Sequence, residues 1–225
     1  MTSSKPTGIA PGAIVTIFGA NLGATVGQVV YNVVPWTTSL SGITVTMDGT
    51  PVPIYRVLNL SGQEQLSLLA PFSIAGKTST NIVVTNAAGT SSSVSVPVLP
   101  ALPGIFILDS ANNGAVHANG TIVTAPSPAT HGETVVLYLT GMGTVSNAPQ
   151  AGQPASLTTL SPTTFTPIVT MGGMPAQVSF SGLTPGFIGL YQINAVVPGG
   201  AAGASLDMTV QVNNVTRNTA KIALQ

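Results

Sequence analysis

Apolar residues recur in short runs with a period of two, separated by Gly, Pro, Asn and Ser. That pattern belongs to strands joined by tight turns. Ala13-Ile14-Val15-Thr16-Ile17-Phe18 is rich in β-branched residues and stops at Gly19-Ala20-Asn21. Ile43-Thr44-Val45-Thr46-Met47 alternates and ends on Asp48-Gly49, a pair that tolerates positive φ. Residues 53–58, 65–70, 81–85 and 92–98 read as further strands, with Pro71 and Asn86-Ala87-Ala88-Gly89 as stops. No stretch carries a long 3.6-residue apolar period with caps, so little helix is expected.

The same order returns in the second half. Residues 133–139 form its first strand, ended by Gly141-Met142-Gly143. Ile168-Val169-Thr170-Met171-Gly172-Gly173 mirrors Thr44-Val45-Thr46-Met47-Asp48-Gly49, and Met174-Pro175-Ala176 mirrors Thr50-Pro51-Val52. Gln192-Ile193-Asn194-Ala195-Val196-Val197-Pro198 mirrors Gln65-Leu66-Ser67-Leu68-Leu69-Ala70-Pro71. Thr209-Val210-Gln211-Val212-Asn213 is matched to Ile82-Val83-Val84-Thr85-Asn86. Conserved order and a nearly constant offset mark an internal duplication. Each copy has the size and strand count of an immunoglobulin-like sandwich.

The expected class is therefore all-β: two tandem immunoglobulin-like β-sandwiches joined by a structured, hairpin-containing bridge. The divisions are 1–101, a bridge at 102–130, and 131–225. In the bridge, Ala115-Val116-His117-Ala118, Asn119-Gly120 and Thr121-Ile122-Val123 spell a hairpin with a type I′ turn. Pro103-Gly104-Ile105-Phe106 places two large apolar residues after a turn. The last run, residues 216–225, alternates Ala220, Ile222 and Leu224 on one side. It reads as a terminal strand able to close its own sheet or a neighbour's. The polar residues before Ile9 read as an extended arm.

Composition changes the picture in one respect. Charged residues make up 4% of the 225 residues and the formal net charge is zero, while 44% are hydrophobic. Ordinary soluble proteins carry roughly 25% charged residues. Five basic residues cannot build a cationic footprint for nucleic acid. The uncharged stretches are broken by turn residues too often for a spanning helix. Cysteine is absent, which excludes disulfides and thiolate metal sites. The opening Met1-Thr2-Ser3-Ser4-Lys5-Pro6 has no apolar signal-peptide core, so export would imply a mature or trimmed form. The composition itself suits an extracellular or cell-surface location. Five acids leave few carboxylates to link stability to pH, so a weak pH dependence is expected.

Pro11-Gly12 and the run through Phe18-Gly19-Ala20-Asn21-Leu22-Gly23 resemble the opening of an IPT/TIG immunoglobulin-like domain, as does Val45-Thr46-Met47-Asp48-Gly49 with Pro51-Val52. Leu183-Thr184-Pro185-Gly186-Phe187-Ile188-Gly189-Leu190-Tyr191-Gln192-Ile193-Asn194, Pro103-Gly104-Ile105-Phe106 and the closing Ile222-Ala223-Leu224-Gln225 are similar to a C-terminal domain of large secreted proteins of acidobacteria such as Solibacter. The resemblance implies an extracellular β module within a longer polypeptide, with no activity or catalytic residue to transfer. The scarcity of charge and the long loop over residues 24–40 depart from it.

Catalysis needs clustered titratable groups. His117 and His131 are the only histidines and read as surface residues. A Ser-His-Asp site would need Asp109 or Asp207 beside one of them. No paired carboxylates, acidic calcium loop or histidine pair at ligand spacing stands out. No residue is assigned a catalytic, cofactor-binding or metal-binding role, and no cofactor is expected. A Lys–Asn isopeptide bond would need Lys5, Lys77 or Lys221 beside an Asn and a buried Glu64 or Glu133. Asn59, Asn119 and Asn214 open glycosylation sequons. Trp36, the only Trp, lies in the long loop with Tyr31, and these two are the candidate ligand or interface contacts. Such a chain reads as a non-catalytic structural or adhesive module, self-assembling into a filament or surface layer. Its partners would be other copies of itself or cell-surface components, without nucleic acid or membrane insertion. The alternatives are a carbohydrate-binding module that takes polysaccharide through Trp36, and a spacer or export-associated domain.

Overall fold

The structure is a computed structural model and describes residues 7–225. Lys5 and most of the expected N-terminal arm lie outside the described residues. The first half contains β1 (Ile14–Gly19), β2 (Val29–Tyr31), β3 (Ser39–Leu40), β4 (Ile43–Met47), β5 (Thr50–Pro51), β6 (Ile54–Leu60), β7 (Gln63–Leu69), β8 (Ser79–Asn86), β9 (Gly89–Thr90) and β10 (Val94–Pro97). The second contains β11 (Gly104–Ile105), β12 (Ala115–Val116), β13 (Thr134–Thr140), β14 (Ile168–Met171), β15 (Met174–Leu183), β16 (Tyr191–Val196), β17 (Gly203–Gln211) and β18 (Thr219–Leu224). Among the described residues, the helical content is one 3₁₀ turn at Phe72–Ile74. The fold is all-β, with immunoglobulin-like sandwiches in tandem.

In the first half, β1-β7-β6-β2 faces a second sheet ordered β10-β8-β4-β3. Strand alternation builds the core between them: Ile43, Val45 and Met47 of β4 are buried, and the intervening threonines are half-buried. The turn after β4 takes positive φ at both Asp48 and Gly49 (49° and 79°), and its counterpart does so at Gly172 and Gly173 (58° and 80°). Duplication therefore extends to backbone conformation. It extends to hydrogen bonds as well. Gly12 N donates to Ala70 O and Ala70 N to Ala13 O, while Gly132 N donates to Val197 O and Val197 N to Glu133 O. Ile9 bridges Val98 in parallel, and Ala129 bridges Leu224 in the same way.

One match needs correction. Val45 pairs with Val84, and its counterpart Val169 pairs with Val210, so Val210 takes the place of Val84 and Met208 that of Ile82. The match of Thr209–Asn213 to Ile82–Asn86 is one residue out of step. With a side-chain period of two, that slip would turn core residues to solvent.

Residues 102–130 do not stand apart as a bridge. β11 and β12 both pair with β13, and Ile105, Ala115, Val123 and Ala129 are buried in the second core. The hairpin forms, with His117 N donating to Thr121 O and Val123 N to Ala115 O. Its turn differs from the expected type I′. Only Gly120 has positive φ (85°), and Gly120 N donates to His117 O, which is the three-residue loop with a glycine bulge. The neighbours Ala101 and Leu102 insert into opposite cores, Ala101 into the second and Leu102 into the first.

The second half closes on itself. Its sheet runs β11-β13-β16-β15-β14-β17-β18, and β15 serves both faces through a bulge between Val178 and Phe180. In the first half Pro53 interrupts the corresponding strand between β5 and β6, because it brings no N–H to the ladder. The expected terminal strand is β18, and it closes its own sheet. Its outer edge is also occupied: Gly114 N donates to Lys221 O, Lys221 N to Asn112 O, Ala129 N to Ala223 O and Gln225 N to Ala129 O. The C-terminal strand is therefore spent inside its own module.

The halves meet along a tight seam. Fully buried Tyr191 donates its hydroxyl to Gly143 O at 2.6 Å, and Phe72 from the first half packs against the second core. Gly12 lies against both: a Cβ there would fall 2.1 Å from Tyr191 Oη and 2.6 Å from the Phe72 ring. At Gly152 a Cβ would fall 2.2 Å from Trp36 O. Trp36 N donates to Gly152 O at 2.9 Å, and Ile14 N donates to Thr140 Oγ1 at 2.7 Å.

Gly12→Ala should lower stability by about 2–4 kcal/mol, combining a left-handed φ with overpacking. Gly49→Ala has the same φ problem but nothing within 4 Å of its Cβ. It should cost only about 1–2 kcal/mol. Equal losses in denaturant titrations of the two variants would show that the seam is loose.

Candidate functional site

Two groups of side chains have the geometry of a site. The first surrounds the predicted contacts Trp36 and Tyr31. β2 pairs with β6 so that Tyr31 lies opposite Arg56, and Asn32 N donates to Tyr55 O. Asn32 Nδ2 holds the loop by donating to Thr37 O, Thr37 Oγ1 and Ile54 O. Trp36 is thereby laid onto Tyr55, with ring centroids 4.8 Å apart and planes inclined by 30°. Tyr31 meets Tyr55 edge-on at 5.5 Å, and the Arg56 guanidinium lies 6.0 Å from the Tyr31 ring. Tyr55 was not singled out in the sequence. Its signal was the alternation of residues 53–58, which turns Tyr55 away from the core that Ile54 enters. The cluster leaves Tyr31 52% exposed while Trp36 is half-buried. One face of Trp36 is thus committed to packing.

The second group was missed. Folding of residues 115–123 brings His117 against Glu133 and Ser127. His117 Nδ1 lies 2.5 Å from Glu133 Oε1, and Nε2 lies 3.1 Å from the Ser127 carbonyl and 3.3 Å from Ser127 Oγ. The order Ser–His–Glu has the outline of a nucleophile, base and orienting acid. The contacts of the ring also fit a second use. When protonated at both nitrogens, the ring donates from Nδ1 to the carboxylate and from Nε2 to the Ser127 carbonyl. Such an imidazolium has no lone pair with which to deprotonate Ser127. The group is an ionic clasp that ties the hairpin to the start of β13. Its signal in the sequence was the hairpin itself, which sets His117 beside the residues that open the next strand.

Both pKa shifts agree with the clasp. The Glu133 hydrogen bond raises His117 against the opposing effect of burial. Burial alone would raise Glu133, but the Thr130 N–H and His117 together lower it. The other acids are also recruited. Lys77, the Asn81 N–H and the Thr80 hydroxyl hold Asp48 down to about 2, and Asn113 and the Ala111 N–H lower Asp109. Buried Glu64 accepts the backbone N–H groups of Leu22, Gly23 and Ala24. Few carboxylates exist, but Asp48, Asp109 and Glu133 are each held below their ordinary values, which argues against the expected weak pH dependence.

Other candidates disperse. Lys77 pairs with Asp48 at 2.7 Å and Lys221 with Asp207 at 2.5 Å, while Glu64 and Glu133 are engaged elsewhere. The isopeptide arrangement therefore does not assemble around them. Buried Asn59 donates to Ala24 O and accepts from Gly62 N, so its sequon is closed to modification in the folded state. His131 is exposed, with Nδ1 3.3 Å from Val197 O. Among the described residues no three His, Asp or Glu side chains converge, and no helix is long and apolar enough to cross a membrane.

No family model matches the chain, and no curated protein does. Solved structures with a similar course include the Escherichia coli adhesin FdeC, at 14% identity over 95% of this chain and 53% of that one, with a TM-score of 0.29. Domains 5–6 of the S-layer protein SbsC match at 14% identity over 99% and 94%, with a TM-score of 0.28. The I9–I11 tandem of titin matches at 10% identity over 98% and 64%, with a TM-score of 0.25. The chain spans about half the length of the adhesin it matches. Likenesses this loose carry no functional argument, and the fold stands on the strand pairing of the chain itself.

The clasp has a defined pH window. With His117 raised above 6.5, its contribution is complete below pH 6.5 and is lost as pH rises through the folded value. With Glu133 lowered below 4.5, its contribution is complete above pH 4.5 and is lost as pH falls through the folded value. Melting temperature should therefore drop by a few degrees between mildly acid and mildly alkaline pH. His117→Gln should flatten that slope. A wild-type melting curve that does not move over this range would contradict the clasp.

Proposed function

We propose that the chain is a non-catalytic structural or adhesive module of an extracellular surface, acting as a stiff two-sandwich strut. The observation that carries this reading is the seam. Backbone approaches side chain and backbone at Gly12 and Gly152, Tyr191 and Phe72 fill the joint, and the Trp36 N–Gly152 O and Ile14 N–Thr140 Oγ1 hydrogen bonds cross it. A joint of this kind transmits orientation and load between the units. The outer location rests on composition: an uncharged polar surface and freedom from cysteine both suit life outside the cell. The partners that fit are protein segments and envelope components.

Two experiments test this reading. Calorimetry of the intact chain should give one cooperative transition, because neither half can leave the seam without exposing Tyr191. A bulky Gly152→Leu change should split it into two. Two transitions in the unaltered chain would remove the basis for a strut. Separately, turnover of small aryl esters should be absent. Turnover that disappears in Ser127→Ala while the melting temperature holds would overturn the non-catalytic reading.

The carbohydrate reading is favoured by one observation, the exposed Tyr31 beside the stacked Trp36–Tyr55 pair. Truncating a half-buried Trp to Ala should lower stability by about 1–3 kcal/mol. Retention on an insoluble polysaccharide that is lost in Tyr31→Ala at unchanged stability would favour sugar binding. Unchanged or absent retention would leave the cluster as packing alone.

A further inference from the structure

The duplication exposes a difference at one edge. β13 has neighbours on both sides, β16 on one and β11 with β12 on the other. Its counterpart β1 pairs with β7, and among the described residues no strand pairs with its outer edge. The consequence is visible in burial. Val135 and Leu137 of β13 are completely buried, whereas their counterparts Val15 and Ile17 are only half-buried, and Phe18 is 70% exposed. In the second half Ile105, Ala115 and Val123 fill the flank of the core. In the first half the flank is a groove of about 430 Å³ between β1 and β10, walled by Val15, Ile17, Leu22, Val84, Val94 and Val96. A second recess of about 380 Å³ continues along the outside of β1 to Leu102, Thr140 and Arg217.

The backbone of this edge is set for pairing. Ile14 N points outward, since it donates to Thr140 Oγ1. In an antiparallel strand the outward groups recur every second residue, so Thr16 and Phe18 also present N–H and C=O outward. In the duplicate this position is used: Phe106 N donates to the O of Tyr138, the counterpart of Phe18. β1 carries no charge, proline or bulge to discourage a partner.

We propose that the outer edge of β1 is a strand-accepting site, and that its occupant is an extended protein segment of β-branched and small residues, with the chemistry that residues 104–123 present to β13. The duplicate argues for this occupant, because that segment fills the equivalent place with strand pairing and apolar side chains together. Charge agrees: among the described residues Arg217 is the single charged residue lining the groove, and Asp109 is the single acid of residues 104–123. The site deepens the structural-module reading and rests on it for the partner being protein. The edge can fail to accept a strand while the seam stays rigid, and the reverse, so the two fail separately.

A synthetic peptide carrying residues 103–124, titrated into the intact protein, tests the site. The peptide should bind saturably, a scrambled peptide should not, and hydrogen exchange at Thr16 and Phe18 should slow on binding. Phe18→Pro removes an outward N–H without touching the β7 ladder, and Phe18→Lys puts a charge on the edge. Either change should weaken binding at least about tenfold, while melting stays near wild type. Unperturbed exchange at Thr16 and Phe18 in the wild type at saturating peptide would overturn the proposal whatever the variants do. Protection of the same amides without peptide, in a concentration-dependent dimer, would also overturn it and make a second copy the occupant.

Discussion

Gly12 occupies a space that a methyl group cannot enter, between the Tyr191 hydroxyl and the Phe72 ring. That close approach governs the rest of the structure. It lets Tyr191 of the second sandwich reach the first while its hydroxyl stays satisfied on Gly143 O. Burial pushes the Tyr191 hydroxyl far above its ordinary pKa, so it remains neutral and a donor at any physiological pH. A chain with so few charges cannot fix two domains through ion pairs. Here shape and backbone hydrogen bonds do that work, and the joint should be insensitive to salt.

The same scarcity of charge bears on the edges of the sheets. Charged side chains ordinarily keep exposed strands from pairing with other chains. The second half achieves protection by closure: residues 112–116 run from β18 across to β13, and Ala129 covers the end of β18. No edge there depends on repulsion. Among the described residues the first half closes only where Ile9 bridges Val98, and the edge of β1 has no strand partner beyond it. Two copies of one fold thus reach different solutions, and the difference lies in the segment that precedes β13.

The sequence made the repeated features plain and the contacts between distant residues obscure. Strand positions, the Asp48-Gly49 turn and the duplication could be read because each is a local pattern repeated twice. The register of β17 against β14 could not, since Thr209 and Val210 both suit a strand and only pairing chooses between faces. The assignment of residues 102–130 to a bridge failed for a related reason. A hairpin signal says that two runs pair with each other, not that both then pack on β13. Trp36 and Tyr31 were visible as rare aromatics in a long loop, but Tyr55 joined them only through the β2–β6 register. The hairpin signal brought His117 near the start of β13, but the turns that carry Ser127 and Glu133 onto its ring follow no spacing rule.

Divergence between the halves has a physical order. Pro53 interrupts the strand that β15 carries unbroken through both faces, which leaves the first sandwich as two separate sheets held by side chains. Separate sheets tolerate an open flank, because neither depends on the other for its hydrogen bonds. A ring does not tolerate one: removing residues 112–116 would uncover β18 and β13 at once. The covering segment is therefore obligatory in the second half, and the described residues of the first half hold their sheets without one. An edge relieved of a structural duty is the place where a binding duty can evolve without loss of the fold. In this chain that edge is β1, whose half-buried Val15 and Ile17 match the fully buried Val135 and Leu137 of its duplicate.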